Sequence, residues 1–179
     1  MKKEIEEHFL LPEGISAKVE GNSLEFSFNG KKSARMFNPT NMRVTVEGNE
    51  VIVRAKSGRK FLLSVVNAFM SHLKNICIGL KSGYEYKLEL VYSHFPMTLT
   101  QKEKIIEVAN VGGAKKNRLA AVVGDSVVQV KGKEIFVRGS NKEHVGQTAA
   151  NLEQASKIKG KDKRVFQDGI YIVSKPKRE

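Results

Sequence analysis

The residues that could carry out catalysis are few and poorly spaced. His72 and Cys77 lie five positions apart in one apolar stretch. On a helix this separation turns two side chains about 140° from each other, so they cannot form a nucleophile–base pair. The tripeptide Gly124–Ser126 is similar to a hydrolase motif, but it falls between strand-like segments and its residues are ordinary in turns. We expect no enzymatic activity; the enzymatic alternative is a small hydrolase that uses Ser126 or Cys77 with His94.

Metal and nucleotide sites are not predicted either. The four histidines are scattered, and no spacing of His, Cys or Asp is typical of a metal site. The segment Val111–Arg118 contains two glycines but lacks the Gly-Lys-Ser/Thr ending of a nucleotide-binding P-loop. Its cations Lys115, Lys116 and Arg118 instead favour a loop that contacts nucleic-acid phosphates, because bare glycine backbone lets them approach closely. The alternative for this segment is a solvated hairpin tip, and we predict no cofactor.

The C-terminal segment, residues 157–179, carries the clearest chemical signal. It contains eight Lys or Arg against three Asp or Glu. The basic residues are Lys157, Lys159, Lys161, Lys163, Arg164, Lys175, Lys177 and Arg178. Such a run repels itself unless an anion lies against it, and phosphate backbones are the commonest partner. A solvated tail is the alternative. Phe166 lies inside the run, where its ring could either stack on a base or pack beneath the segment.

This basic segment has the pattern of a folded element. Gly160, Asp168 and Gly169 are typical of turns, and Ile170–Val173 is typical of a short strand. We expect Asp168 to form a turn with Gly169 and not to contact RNA, because phosphates repel a carboxylate. The sequence therefore predicts a folded segment that lies against nucleic acid.

The composition of the whole chain agrees with a nucleic-acid binder. Its 179 residues include 31 Lys and Arg against 19 Asp and Glu, which gives a net charge of +12 and a pI near 9.8. Cys77 is the only cysteine, and its apolar surroundings favour a small buried hydrophobe over a reactive thiol. The N-terminus is too acidic for a signal peptide, and the apolar run Phe61–Leu73 is shorter than the roughly 20 residues that cross a bilayer. We predict a soluble protein of a reducing compartment.

A repeat organises the chain. When the sequence is shifted by 84 positions, Val46–Ala68 overlays Val130–Leu152. Identical pairs in this register include Val44/Val128, Gly48/Gly132, Glu50/Glu134, Val53/Val137 and Arg54/Arg138. A cluster of matches in one register predicts a duplicated unit. We predict two tandem domains, residues 1–81 and 82–156, with the basic segment 157–179 belonging to the second.

Each copy combines strands with one helix. Alternating apolar residues predict strands around Leu24–Phe28 and Val44–Val53 in the first copy, and around Ile106–Val108 and Val128–Val137 in the second. Tyr84–Pro96, which follows the boundary between the copies, is the clearest predicted strand. Gly48 and Gly132 are predicted to occupy hairpin turns. The fold class is therefore α+β: two duplicated domains, each a small, mainly antiparallel sheet packed on a helix, with a basic C-terminal extension.

The two predicted helices differ in character. The first, around Phe61–Leu80, is apolar almost all round, which predicts burial on two sides. In the second, Ser140 or Asn141 is expected to cap the N-terminus, with Glu143 completing a Ser-x-x-Glu capping box. Val145, Ala149 and Leu152 are expected to face inward. The second helix carries small residues and leads into the basic segment, so RNA contact is expected to be weighted toward the second copy.

Several runs together resemble one protein family. They are Gln154, Ile158, Lys161, Arg164, Phe166, the unbroken run Asp168–Ile172, and Lys175. This series closely resembles the C-terminal signature of the universal sixth protein of the large ribosomal subunit, in its archaeal and eukaryotic form. Val145–Ala150 is similar to the second-domain helix of that family, and Tyr92–Pro96 to its interdomain strand. One departure is Ala109–Ala114, where relatives usually carry an Asn-Phe-Leu-Gly-like sequence and this chain lacks the aromatic residue.

The resemblance implies a structural role in the cytoplasmic ribosome. Family members have two stacked α+β domains and bind large-subunit ribosomal RNA near the GTPase-associated region, beside the sarcin–ricin stem and the base of the stalk. The implied partners are this RNA and neighbouring ribosomal proteins near the stalk base, with no membrane, small-molecule substrate or homo-oligomer. Carried onto this chain, the basic residues of 157–179 neutralise phosphates. The alternative function is a basic architectural DNA-binding protein, which would share the charge but has no reason to carry the tail signature.

Overall fold

The structure is a computed structural model that describes residues 5–55, 59–93, 95–162 and 164–176. The chain divides into two compact units, Met1–Ser82 and Gly83–Glu179. Every paired strand in the described residues is antiparallel. The predicted α+β class, with antiparallel sheets and one long helix in each half, is confirmed.

The first unit builds two three-stranded sheets and a long helix. Its elements are β1 (Ile5–Leu10), β2 (Ser16–Glu20), β3 (Ser23–Phe28), β4 (Lys31–Met36), β5 (Met42–Glu47), β6 (Glu50–Ala55) and α1 (Lys60–Lys81). The strand orders are β1-β6-β5 and β2-β3-β4. The apolar sides of both sheets and of α1 share one core, with Leu24, Phe26 and Leu73 fully buried at its centre.

The second unit repeats this order and adds a strand. Its elements are β7 (Tyr84–Val91), β8 (Thr98–Lys102), β9 (Ile105–Ala109), a short 3-10 turn (Val111–Gly113), β10 (Arg118–Ala121), β11 (Val127–Lys131), β12 (Glu134–Gly139), α2 (Lys142–Ser156) and β13 (Gly169–Ser174). The strand orders are β8-β9-β10 and β11-β12-β7-β13. The last strand comes from the basic segment, so this segment is part of the second unit's sheet.

The two central hairpins have the same register. Val44 pairs with Val53 between β5 and β6, and Val128 pairs with Val137 between β11 and β12. Both members of each pair are displaced by the 84 positions found in the sequence. Both hairpins turn at a glycine with φ near +60°, a conformation that costs a residue with a side chain more than it costs glycine. The predicted hairpins are therefore confirmed.

Helix α1 packs against both sheets of the first unit. It contacts β1 and β6 of one sheet and β3 and β4 of the other, but its apolar surface is wider than its buried part, since Phe61 and Leu63 are exposed. By length and composition alone, α1 is long and apolar enough to cross a membrane. The sequence analysis considered only the shorter run Phe61–Leu73, which is too short to do so. The buried residues of α1, among them Val66, Phe69 and Leu73, instead belong to the core of the first unit.

Helix α2 begins one residue later than a Ser-x-x-Glu capping box requires. Asn141 is the N-cap, and its side-chain oxygen accepts hydrogen bonds from the backbone N–H of Glu143 at 2.9 Å and of His144 at 3.4 Å. The capping-box prediction is therefore wrong, because Glu143 lies at the second helical position and not at the third. The predicted inward face is confirmed, since Val145, Ala149 and Leu152 are fully buried.

The buried thiol of Cys77 gives a direct test of the first unit's core. Burial raises the pKa of this thiol to about 11 from an ordinary value of 9.0. At pH 8 the folded protein should therefore hold about 100-fold less thiolate than the unfolded chain, and iodoacetamide should label Cys77 at least that much more slowly. Mass spectrometry of native and guanidinium-unfolded samples measures both rates.

The same shift sets a stability window. Because the pKa of Cys77 is higher in the folded state than in the unfolded chain, the folded state keeps the thiol proton to a higher pH. The contribution of this proton to the free energy of unfolding is complete below about pH 9 and is lost as the pH rises toward 11. A Cys77→Ala variant should not show this part of the decline. Rapid labelling of the native wild type would contradict the packing of α1.

Candidate nucleic-acid interface

A groove in the second unit brings together two segments that are far apart in the sequence. The groove has a volume of about 490 Å³. It is lined by Val111, Gly112, Ala114 and Arg118 from the loop before β10, by Gln154 and Ala155 from the end of α2, and by Lys157, Ile158, Lys159, Lys161 and Phe166 from the basic segment. We call it the tail groove. No acidic residue is among those that line it.

Arg118 holds the end of α2 in place. One terminal nitrogen of its guanidinium, Nη1, donates hydrogen bonds to the backbone carbonyls of Ala155 at 3.2 Å and of Lys157 at 2.7 Å. The last carbonyls of a helix lack partners within the helix, so a cationic donor there stabilises its C-terminus. Arg118 therefore has a structural role that the sequence analysis did not foresee. Its predicted contact with phosphate stays a prediction, since guanidinium has five N–H donors.

The loop before β10 follows an unusual backbone path. Asn110, Gly112 and Gly113 have φ values of +59°, +58° and +78°. Asn110 also donates a side-chain hydrogen bond to the carbonyl of Pro96 at 3.0 Å. These left-handed positions explain the glycines without any ligand. Lys115 and Lys116, which the sequence assigned to phosphate contact, are exposed but do not line the tail groove.

Phe166 is positioned by a tight turn in the basic segment. The side chain of Asp162 accepts a hydrogen bond from the backbone N–H of Arg164 at 2.9 Å, and its carbonyl accepts one from the N–H of Phe166 at 2.9 Å. The Phe166 ring is 44% exposed, and the ammonium of Lys161 lies 4.3 Å from its centroid. Such a cation–π contact contributes about 0.5–1 kcal/mol at an exposed site. The ring is therefore not buried beneath the segment.

Asp168 does not form the predicted turn with Gly169. The strand β13 already begins at Gly169, which pairs with Val91 of β7. The carboxylate of Asp168 instead accepts hydrogen bonds from the backbone N–H and the hydroxyl of Ser93, at 3.1 and 3.3 Å. The turn prediction is wrong because β7 offers an edge on which the chain can extend. The predicted bend at Gly160, with φ of +74°, and the predicted strand are confirmed.

The remaining predicted site residues fall into three groups. Lys157, Lys159, Lys161 and Arg164 are exposed in the segment between α2 and β13. Lys175 is exposed just after β13, away from the tail groove. Lys163, Lys177 and Arg178 lie outside the described residues. For Lys157, Lys159 and Lys161, the part of the chain that the structure describes provides no carboxylate partner in an ion pair.

A second group of cations surrounds Phe136 on β12. Lys87, Lys131 and Arg138 lie 5.7 to 5.8 Å from the centroid of its ring. The sequence analysis missed this cluster, although the alternation of β12 places Phe136 and Arg138 opposite the buried Ile135. Here carboxylates balance the charge, since Glu134 pairs with Lys87 and Glu85 pairs with Arg138. The cations of the tail groove should therefore attract an external anion more strongly than the paired cations beside Phe136 do.

The hydrolase alternative finds no support in the fold. Gly124 and Asp125 form the predicted turn between β10 and β11. The hydroxyl oxygen of Ser126 is buried and has no hydrogen-bond partner in the described residues. Cys77 is buried in the first unit, and His94 lies outside the described residues. A buried hydroxyl and a buried, protonated thiol are both poorly placed to attack a substrate.

Comparison with known proteins identifies the family. The family model described as ribosomal protein L6 matches residues 95–169, which include the tail groove, the strands β8 to β12 and all of α2. The chain is 45% identical to the large ribosomal subunit protein uL6 of Methanosarcina mazei over 98% of this chain and 99% of the relative. It is 40% identical to uL6 of Methanobrevibacter smithii, covering 96% of both chains, and 36% identical to uL6 of Thermoplasma acidophilum, covering 92% of this chain and 93% of the relative.

The chain belongs to the ribosomal protein L6 family. The named relatives are archaeal, which confirms the branch that the tail signature indicated. Proteins of the L6 family are structural constituents and not enzymes, so the prediction of a non-enzymatic protein is confirmed.

The bonds of Arg118 predict its effect on stability. An Arg118→Gln variant loses the charged donor to two carbonyls at the end of α2, so the free energy of unfolding should fall by about 1–3 kcal/mol. Urea denaturation followed by circular dichroism measures this change. Arg164→Gln is the matched control, because Arg164 is an exposed arginine of the same unit, and it should change the free energy by less than about 0.5 kcal/mol. Equal losses in both variants would contradict the capping role.

Proposed function

We propose that this L6-family protein is a structural constituent of the large ribosomal subunit in the cytoplasmic ribosome and binds large-subunit ribosomal RNA through the tail groove and its lysines. The observation that carries the proposal is the meeting of the loop before β10, the end of α2 and the basic segment around one groove without acidic residues. Lys157, Lys159 and Lys161 would neutralise phosphates there. No catalytic step is involved.

Electrostatics supports this surface over others in the second unit. Lysines that approach phosphates release condensed counterions, which gives favourable binding at low salt. Of the cations around Phe136, Lys87 and Arg138 are already paired with Glu134 and Glu85, so these two would give up an ion pair to bind a phosphate. The three lysines of the tail groove would give up none among the described residues.

The basic segment is already folded before any partner binds, which also supports the proposal. The segment is anchored at its start by the bonds from Arg118 to the end of α2, and at its end by the pairing of β13 with β7. Between these points, Asp162 organises a turn. A segment held in this way loses less conformational entropy on binding than a free tail. It acts as a clamp that recognises the shape and the phosphates of structured RNA.

The location in the subunit follows from the family resemblance. We infer binding near the GTPase-associated region, with ribosomal proteins at the stalk base as neighbours. Lys115, Lys116, Lys175 and, beyond the described residues, Lys163, Lys177 and Arg178 would extend the contact around the tail groove. The rival function, an architectural DNA-binding protein, shares the charge but does not account for the family.

Removing charge from the tail groove tests the proposal. Deleting the whole basic segment is unsuitable, because it would remove β13 and its buried Ile170. We therefore replace Lys157, Lys159 and Lys161 together by Gln. Each lost phosphate contact should lower the slope of log K against log salt by about 0.7–0.9, so the triple variant should lose roughly 2–3 units of slope. Filter binding of a large-subunit ribosomal RNA transcript across a potassium chloride series measures it.

The control variant removes the same charge from the first unit. Lys18, Lys31 and Lys32 are exposed there, and their joint replacement by Gln should leave the slope nearly unchanged. Equal losses in the two variants would mean that net charge alone drives binding. If only a Lys115→Gln/Lys116→Gln variant lost slope, the loop and not the basic segment would carry the contact. Equal affinity for duplex DNA and for ribosomal RNA would favour the architectural alternative.

A further inference from the structure

We propose that the tail groove receives the base of one unpaired RNA nucleotide, with Phe166 as its stacking partner and the lysines at its flanking phosphates. The inference rests on the proposed RNA binding and adds to it a class of ligand. It concerns what enters the groove and not only what lies over the basic surface.

The chemistry of the lining matches the two parts of a nucleotide. Ala114, Ala155 and Ile158 supply apolar surface, and Phe166 supplies an aromatic ring with 44% of its surface exposed. A nucleobase has apolar faces that such a lining can cover. The cations of the same groove suit the phosphates on either side of the base. A surface that only followed a phosphate backbone would need the lysines but not the apolar lining.

The size of the groove fits a nucleotide as well. Its volume of about 490 Å³ falls in the range of about 300–1,000 Å³ that is common for small-ligand sites. Phe136 offers an instructive contrast in the same unit. It too is an aromatic ring close to three cations, but it lies on the face of a sheet and does not line the tail groove.

An adjoining groove fixes which side the nucleotide enters. That second groove, of about 370 Å³, shares Gln154, Lys157, Ile158 and Phe166 with the tail groove. It also contains the carboxylates of Glu153 and Asp168. A phosphate close to two carboxylates is repelled, so the nucleotide with its phosphates is favoured on the side that has none. Phe166 lines both grooves and is therefore reachable from the acid-free side.

An unpaired base is required by the geometry of RNA. In an A-form helix the bases are stacked, and the major groove is too deep and narrow for side chains to read. A base can reach Phe166 only if it is turned out of its helix, as in a bulge or a loop. The tail groove therefore predicts a preference for RNA that contains an extruded nucleotide over a continuous duplex.

The experiment compares two RNA probes. One is a 16-base-pair RNA duplex, and the other is the same duplex with a single bulged adenosine. Wild-type protein should bind the bulged RNA more tightly. Phe166→Ala should lose about 5- to 150-fold on the bulged probe, because stacking of one base on an aromatic side chain contributes that much. The perfect duplex should be bound nearly as before, and the salt slope on either probe should not change.

Two further variants separate stacking from other effects. Ala114→Phe fills the tail groove without changing charge, and the extended backbone at Ala114, with φ of −73°, accepts the larger residue. It should abolish the preference for the bulged probe. Phe136→Ala is the matched control and should keep that preference. Thermal melting checks that each variant is folded; if Ala114→Phe is not, Phe166→Ala still decides, because its side chain is largely outside the core.

The outcomes separate this inference from the proposed function. If Phe166→Ala and Ala114→Phe bind the bulged probe as wild type does, the inference is overturned, while the lysine variant can still uphold RNA binding. If wild type binds no RNA, both fall. A bulged 4-thiouridine should crosslink to the peptide that contains Phe166 and not to the one that contains Phe136. If an acidic peptide with an aromatic side chain binds the tail groove at Phe166 and the bulged RNA does not, the groove is a protein-binding site and the inference is wrong.

Discussion

Backbone pairing between β13 and β7 anchors the basic segment and the tail groove that we propose as the RNA-binding surface. Ile170 is buried to 99% in the second unit and its backbone N–H donates to the hydroxyl of Ser156 at 2.7 Å. That hydroxyl in turn donates to the carbonyl of Glu153 in the last turn of α2. Burial of a side chain of this size stabilises by about 1.5–3 kcal/mol. The strand and the helix end are thus locked together, and the described residues between them line one groove with the loop before β10. This groove is the tail groove.

This arrangement also explains how a strongly basic segment can be held in one place. Its lysines repel one another, so order in the segment needs stabilisation from elsewhere. The structure supplies it at three points: the guanidinium of Arg118, the turn at Asp162, and the carboxylate of Asp168 on Ser93. Asp162 and Asp168, the two acidic residues among the described residues of the segment, both accept hydrogen bonds from backbone N–H groups. They therefore hold the chain in shape, while the ammonium groups stay exposed for a phosphate partner.

The two units use one pattern of pairing for different ends. In both, one sheet contains three strands in the same order, β1-β6-β5 and β7-β12-β11, with the same hairpin register. The second unit extends this sheet with β13, whereas in the described part of the first unit β1 pairs only with β6. The first helix is long and packs two sheets together, and the second is shorter and ends at the tail groove. Gene duplication remains a prediction, and the added strand β13, which orders the basic segment, is the feature that distinguishes the second unit.

The sequence by itself determined whatever depends on neighbours along the chain. The α+β class, the hairpins at Gly48 and Gly132 and the inward face of α2 follow from periodicity and turn chemistry, which are local signals. The family followed from a run of residues in the tail, because recognising a motif needs no geometry.

The tertiary structure decided what depends on distant contacts. Arg118 and Lys157 are 39 positions apart and meet only through a guanidinium–carbonyl bond. Gly169 is a residue type typical of turns, but it begins a strand, because pairing with the open edge of β7 outweighs its local preference. The set of lysines that share a surface with Phe166 likewise depends on the path of the folded chain, so only the tertiary structure shows it.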